Sequence, residues 1–390
     1  MSGEIQVLFI GSVRPEPTTA ASLTLYRHLV GRAGIALSVL PAELQDILPD
    51  RRLARGLARA NRTRFSRWVA DLEFGLHGRL ALDRRLPPPP STGRSRTLVL
   101  TLAYRNGWQV ARRYAIRHGL PLVVRFDDWW PDIAAVHAPV RRILERRFCR
   151  LAEESATSIC ISQGMCSALG SVPNSAVVLP IPGENIPAAP VDASPATPLR
   201  VCYLGNMYDY GPMLAGLAER ALSDSALRLE FRGNNPQWPE GLKAIMRQHG
   251  RLHDFQTGPQ FQRWYEGFHV YLVAMFFESR QRRRVETCFA TKLVEYSALG
   301  RPIVIWAPES AAVVRWARAT GTAMCVTDPS PDALLAALRG LAANARRRVE
   351  LGCAARHAYN TDFNPENIQS GFVAALETAL TSSSSRPRIR

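Results

Sequence analysis

The feature that most limits what this chain can become is a break in composition at Pro180–Pro198, with the same strand–turn–helix alternation on both sides of it. Before the break, short apolar runs at Gln6–Ile10, Ile35–Leu40, Thr97–Leu102, Pro121–Phe126, Ser158–Ile161 and Val177–Leu179 predict strands. Helical periodicity separates them, from Thr18 or Thr19 to Val30, over Gly107–Gly119 and over Arg141–Ser155, and Ser162 opens a further helix. After the break, strands are predicted at Arg200–Leu204, Leu227–Phe231, Val270–Met275, Ile303–Ile305 and Ala323–Val326, with helices over Asp332–Leu341 and from about Pro365 to Leu380. Strands this apolar that alternate with helices belong to parallel sheets covered on both faces. The expected fold is α/β: two doubly wound Rossmann-like domains facing a central cleft, residues 1–182 and 200–364, joined by a Pro-rich linker at 183–199. A helix at 365–380 follows, with a crossing back to the first domain as one course open to it, and the Ser- and Arg-rich tail 381–390 is expected to be disordered.

Composition narrows the classes. At 390 residues and 46% hydrophobic content the chain has material for two cores. No run of eighteen apolar residues occurs, so no transmembrane helix is expected, and the start, Met-Ser-Gly-Glu-Ile-Gln, lacks the basic and apolar regions of a signal peptide. Seven Cys are scattered without a CxxC pair, and no His cluster has metal-ligand spacing, which points to a reduced cytoplasmic setting and no metal. The formal net charge of +16 draws the protein to polyanions: nucleic acid, an anionic membrane face or phosphorylated ligands. Arg51–Trp68 carries seven Arg and no acidic residue, and Leu53, Leu57, Phe65, Trp68, Val69 and Leu72 fall at helical steps. An Arg-rich helix over Arg51–Arg67 is therefore expected, either resting on anionic lipid at the inner membrane face or covering its own domain. Nucleic acid is not an expected partner, because no aromatic-interleaved stacking platform or reading motif accompanies the Arg residues.

The stretch Phe289–Trp306 carries the densest information. Leu293, Val294 and Ala298 repeat at helical spacing, Gly300 supplies a left-handed stop, Pro302 bars continuation, and Ile303–Ile305 is a β-branched buried strand. Lys292 and Glu295 stand three apart, on one face near the helix start. There a Lys can meet a phosphate, assisted by free helix amides, and a Glu can take two sugar hydroxyls. A plain surface ion pair is the competing reading of the same two residues. In the first half, Phe126 is followed by Asp127-Asp128-Trp-Trp-Pro-Asp132, carboxylates at the carboxyl end of a strand, where ligands of open sheets bind. Adjacent carboxylates raise one another's pKa, which suits a proton acceptor; a helix N-cap by Asp128 or Asp132 is the alternative. Gly11, closing the first strand, would let backbone approach a ligand, although no GxGxxG fingerprint is present.

These stretches together resemble the nucleotide-sugar glycosyltransferases of GT-B fold, in the retaining group called group 1 or family 4. Phe289-x-x-Lys292-x-x-Glu295-Tyr296-x-Ala298-x-Gly300-x-Pro302 is similar to that family's donor-site helix. Phe126–Asp132, Glu153–Met165 and Leu179–Gly183 resemble its strand-end motif, its lead-in to the last N-domain strand and its hinge. The resemblance implies transfer of a glycosyl group from a nucleotide diphosphate sugar to a hydroxyl of a saccharide or lipid-linked acceptor, without metal or other cofactor, in bacterial surface polysaccharide or glycolipid synthesis. It implies ribose binding by Glu295 and a diphosphate facing Gly205 and Asn206. Cationic stabilisation of the leaving group would come from Lys292, then Arg232 and the loop Arg280–Arg284, with Arg284, Gly233 and Thr291 also lining the donor site and Asp127 or Asp128 near the acceptor hydroxyl. The sequence departs from the family at Thr287, where many members have Glu, and at Gly205–Gly211, which holds neither Arg nor Lys. An inactive scaffold or a nucleotide-sugar epimerase of the same architecture are the alternative expectations.

Overall fold

The computed structural model describes residues 3–18, 20–43, 56, 59–60, 63–90, 96–170, 172–183, 197–234, 236–256 and 259–382. The chain divides into two compact units, Met1–Ile181 with Ile368–Arg390, and Pro182–Asn367.

The first unit holds strands β1 (Ile5–Gly11), β2 (Ile35–Pro41), β3 (Thr97–Leu102), β4 (Leu122–Phe126), β5 (Thr157–Cys160) and β6 (Ser175–Val177), in the order β2-β1-β3-β4-β5-β6, every neighbour parallel. Its helices are α1 (Ala20–Leu29), α2 (Ser66–Arg79), α3 (Gly107–His118), α4 (Trp130–Ile133), α5 (Ala138–Glu154) and α6 (Gln163–Leu169). The second unit holds β7 (Leu199–Leu204), β8 (Leu227–Arg232), β9 (Leu252–His253), β10 (Val270–Ala274), β11 (Ile303–Trp306) and β12 (Met324–Val326), ordered β12-β11-β10-β7-β8-β9 and again parallel. Around it lie α7 (Gly211–Ala221), α8 (Glu240–Gln248), α9 (Pro259–Glu266), α10 (Arg282–Thr287), α11 (Thr291–Ser297), α12 (Ala312–Thr320), α13 (Pro331–Ala343) and α14 (Ala345–Asn360). The last helix, α15 (Pro365–Ser382), packs from Ile368 onward in the first unit.

The inner strands bury both faces, while the edge strands β2 and β6 stay partly exposed. In β1, Leu8 and Ile10 join a core with Trp108, Tyr114 and Phe148 from α3 and α5, while Val7 and Phe9 join a second core with Leu25 and Leu29 of α1 and Phe372 and Leu376 of α15. That period-2 partition is what a two-sided parallel sheet requires. His28 fixes α15 onto α1: its ring stacks on Phe372 at 4.5 Å and its Nδ1 pairs with Gln369 Oε1 at 3.1 Å. Burial, with the nearby Arg125 charge, pushes the His28 pKa down to about 3, so the ring is neutral there.

Both sheets reverse direction once: the chain leaves β1 for β2 and then returns past β1 to β3, and it leaves β7 for β8 and β9 and then returns past β7 to β10. Ligands of doubly wound sheets bind beyond the strand ends at such switch points.

Several local expectations need correction. A single helix through Arg51–Arg67 does not form: Thr63–Phe65 is a turn and α2 starts at Ser66. Thr63 Oγ1 donates to Ala60 O at 2.7 Å and accepts from Phe65 N at 3.2 Å, local bonds that compete with the helix ladder. Most of residues 51–62, the linker 184–196 and the tail 383–390 lie outside the described residues. Arg280–Arg284 is not a loop but a 3-10 turn followed by α10, supported by the Arg282–Glu286 pair at 2.7 Å. Strand β6 lies at 175–177 rather than 177–179, and β9, α7, α8, α9, α12 and α14 are additional to the expected elements. Two residues of strand show no periodicity, and the Arg-rich, Gly352-bearing α14 presents only a weak apolar stripe.

Candidate functional site

In the second unit the switch point lies between β7 and β10. Their register runs from Val201↔Val270 to Tyr203↔Leu272. At the next residue, Leu204, both main-chain polar groups meet the Tyr296 hydroxyl of α11, Leu204 N donating at 3.0 Å and Tyr296 Oη donating to Leu204 O at 3.2 Å. Tyr296 is completely buried, and burial pushes its pKa well above the ordinary phenol value, so the hydroxyl stays protonated. This bond pins the short helix bearing Lys292 and Glu295 to the carboxyl end of the central strand. Gly300 takes the left-handed conformation that its place after the helix predicts, with φ 62°, and a Cβ there would lie 3.1 Å from Arg356 Nε.

The floor of the site is made of main chain. A Cβ on Gly233, just beyond β8, would stand 2.1 Å from Gly205 O and 3.0 Å from Met207 Cγ, so only glycine lets the loop after β7 close onto β8. Asn206 shapes that loop: its Oδ1 accepts from Tyr208 N (2.9 Å) and Asp209 N (3.1 Å), and its Nδ2 donates to Asp209 Oδ2 at 3.0 Å. The loop's missing cation arrives from elsewhere in the chain. Arg284 of α10 donates to Asp209 Oδ2 at 3.3 Å, and its guanidinium lies 5.2 Å from the Phe276 ring, on which Tyr210 stacks at 4.2 Å. Arg284 is legible in the sequence as a cation, but its partner Asp209 is not. Asp209 and Tyr296 carry contacts for which the sequence holds no spacing signal, since their partners lie 75 and 92 residues away.

The other predicted donor-side residues, Arg232, Thr291, Glu295 and Lys292, take quieter positions. Arg232 is buried, its guanidinium 4.1 Å from the Trp264 ring and its Nη1 donating to Asp254 O (3.0 Å) and Gln256 Oε1 (2.9 Å). It braces the ends of β8 and β9 from within. On the same face of β8, Glu230 accepts from Arg228 Nε (2.8 Å), Arg200 Nη2 (3.3 Å) and Trp264 Nε1 (3.2 Å), and pairs with His253 Nε2 (3.0 Å). Burial alone would raise its pKa, but the His253 and Arg228 bonds and the Arg200 charge bring it down to about 2. Thr291 opens α11, where no side chain caps the helix, and Glu295 Oε2 accepts from Gly183 N at 3.2 Å. Lys292, one of only two lysines in the sequence, lies near buried Cys202 of β7, where burial holds the thiol well above its ordinary pKa while the Lys292 charge opposes that rise.

The first unit builds a second strand-end assembly at its own switch point. Gly11 ends β1, and Ser12 Oγ accepts from Gly107 N, the first amide of α3, at 3.0 Å. A Cβ on Gly107 would lie 2.6 Å from Ser12 N, so the two strand-end loops touch through glycine. Asp127, just past β4, accepts from Arg125 Nε at 2.8 Å, and Arg125 itself is wholly buried. Burial raises the Asp127 pKa, the Arg125 charge opposes it, and the neighbouring Asp128 carboxylate adds to the rise. Neither Asp128 nor Asp132 provides the side-chain cap of α4.

No protein-family model matches the sequence, and no curated protein matches it. The solved structures do. HepE of Anabaena, solved with UDP and glucose, superposes with TM-score 0.61 at 12% identity over 96% of this chain and 100% of its own. The fold is GT-B. Trehalose-6-phosphate synthase OtsA shares this GT-B architecture at TM-score 0.57 and 12% identity, over 96% of this chain and 99% of its own. The glycotransferase of kitacinnamycin shares it at TM-score 0.54 and 14% identity, over 96% and 99%. At these identities the likeness is one of fold.

Proposed function

We propose that this GT-B chain is a glycosyltransferase that moves a sugar from a nucleoside diphosphate sugar to an acceptor hydroxyl. The observation that carries the proposal is the fixing of α11, the helix that bears Lys292 and Glu295, through Tyr296 to the end of β7, where the strand runs into Gly205 and its close approach to Gly233. Such a main-chain floor suits a diphosphate, which needs close backbone approach, and the carboxylate suits a ribose diol. As the glycosidic bond breaks, the departing nucleoside diphosphate gains negative charge, and Lys292 and Arg284 are the cations proposed to stabilise it. Arg284, held by Asp209 against Phe276, supplies the charge that the loop after β7 lacks. Asp127, with its raised pKa, is the proposed proton acceptor for the incoming hydroxyl. Retention of anomeric configuration, independence of metal, a saccharide or lipid-linked acceptor and a role in bacterial surface polysaccharide or glycolipid synthesis complete the reading. The use of a nucleotide-sugar donor is supported by HepE, solved with UDP-glucose, and by TarM of S. aureus, solved with UDP and α-GlcNAc-glycerol.

Calorimetric titration with UDP, GDP and ADP tests it, with Glu295→Gln as the decisive variant. Gln keeps an acceptor for Gly183 N and removes the charge-assisted ribose bonds, so binding of the preferred nucleotide should weaken by roughly 2 kcal/mol, about thirtyfold, with an unchanged melting temperature. Wild-type affinity in Glu295→Gln overturns the ribose assignment. Tight nucleotide binding without turnover on any sugar donor would leave the inactive-scaffold reading standing.

A further inference from the structure

Phe65 at the N-cap of α2 and Trp68 and Leu72 on its outer face are presented to solvent, 51%, 65% and 52% exposed. Spaced three and four apart, they form one stripe, while Val69, Phe74 and His77 are the residues α2 buries. Single exposed apolar residues are ordinary, but a continuous Trp-bearing stripe is not. Cations border it. Arg64 and Arg67 are exposed beside it, and the Arg64 guanidinium lies 5.0 Å from the Phe65 ring. Trp68 rests on His137 at 4.6 Å, and one turn further along α5 stand exposed Arg141, Arg142 and Ile143. Two acids flank Leu72: Asp71 is committed to His137, accepting from its N at 3.0 Å and pairing with its Nδ1 at 2.6 Å, and Glu73 is partly buried, which raises its pKa.

We propose that this face of the first unit docks onto an anionic lipid bilayer, with Phe65, Trp68 and Leu72 inserted at the headgroup–acyl boundary and Arg64, Arg67, Arg141 and Arg142 on lipid phosphates. Among the described residues no helix is long and apolar enough to cross a membrane, so the attachment is interfacial. The chemistry selects the occupant. A nucleic acid would meet the cations but gain nothing from Leu72. A second copy of this chain would bring the same cluster of cations against itself. An anionic bilayer satisfies both features: phosphates for Arg, a polar–apolar boundary for an indole, and hydrocarbon for Phe and Leu. This inference is independent of the transferase reading.

Co-sedimentation of the full chain with vesicles tests it, comparing phosphatidylcholine alone with phosphatidylcholine mixed with phosphatidylglycerol. Wild type should sediment with the mixed vesicles and not with the neutral ones. The variant Phe65→Ser/Trp68→Ser/Leu72→Ser should lose at least tenfold in partitioning, as should Arg64→Glu/Arg67→Glu. All five side chains are exposed, so melting temperatures should be unchanged. Brominated acyl chains should quench wild-type fluorescence more than that of Trp68→Phe, which separates insertion from adsorption by charge alone. Equal partitioning of wild type and the triple Ser variant, or no binding to anionic vesicles, overturns the proposal. So does a dimer of the wild type that the triple variant loses, since a second copy would then be what covers the stripe.

Discussion

Removing one oxygen atom tests the construction of the donor-side site. Tyr296→Phe deletes the wholly buried hydroxyl that serves both main-chain groups of Leu204. Losing two buried main-chain hydrogen bonds at once costs about 2–3 kcal/mol. A central figure of ~2.5 kcal/mol, at about 2–4 °C per kcal/mol for a domain of this size, lowers the melting transition of the second unit by about 5–10 °C. Phe fills the same cavity, so no packing defect contributes. The freed end of α11 should also shift Lys292 and Glu295 relative to Gly205, so nucleotide affinity measured below the transition should fall by roughly tenfold, about 1.4 kcal/mol. Differential scanning fluorimetry and titration calorimetry read the two effects separately. A melting temperature within about 1 °C of wild type, together with wild-type nucleotide affinity, would refute the claim that this hydroxyl anchors the helix.

Two further substitutions probe the surrounding frame. Gly233→Ala places a methyl 2.1 Å from Gly205 O, so one strand-end loop must move; a loss of about 2 kcal/mol and weaker nucleotide binding are expected by thermal melt and titration, and wild-type values in both would contradict the close approach. Glu230 has a folded pKa near 2 against an ordinary 4.5, so its contribution to stability is complete above about pH 4.5 and disappears as the pH falls toward 2. In Glu230→Gln, melts across that window should lose less stability than wild type, starting from a lower value at neutral pH where Arg200 and Arg228 have lost their buried partner; parallel curves would show that Glu230 does not carry the pair network.

What the sequence determined by itself is the set of properties written in local periodicity. Strands with two apolar faces, the helix stop at Gly300, the three-residue spacing of Lys292 and Glu295, and the strand-end placing of Asp127 all follow from neighbours a few residues apart, because helix and strand repeats decide which side chains share a face. The tertiary structure decided everything that depends on a crossover bringing distant segments together. Tyr296 could be read as an aromatic inside a helix, but not as the keystone of Leu204. Arg284 could be read as one Arg in a basic run, but not as the cation delivered to the Asp209 loop. Arg232 reads as an available charge, and packing turns it inward to brace strand ends instead, as it does Arg125 in the first unit. The order of strands in a sheet, and hence which strand ends share a switch point, is set by how cores close around whole elements, and no short spacing in the chain encodes it.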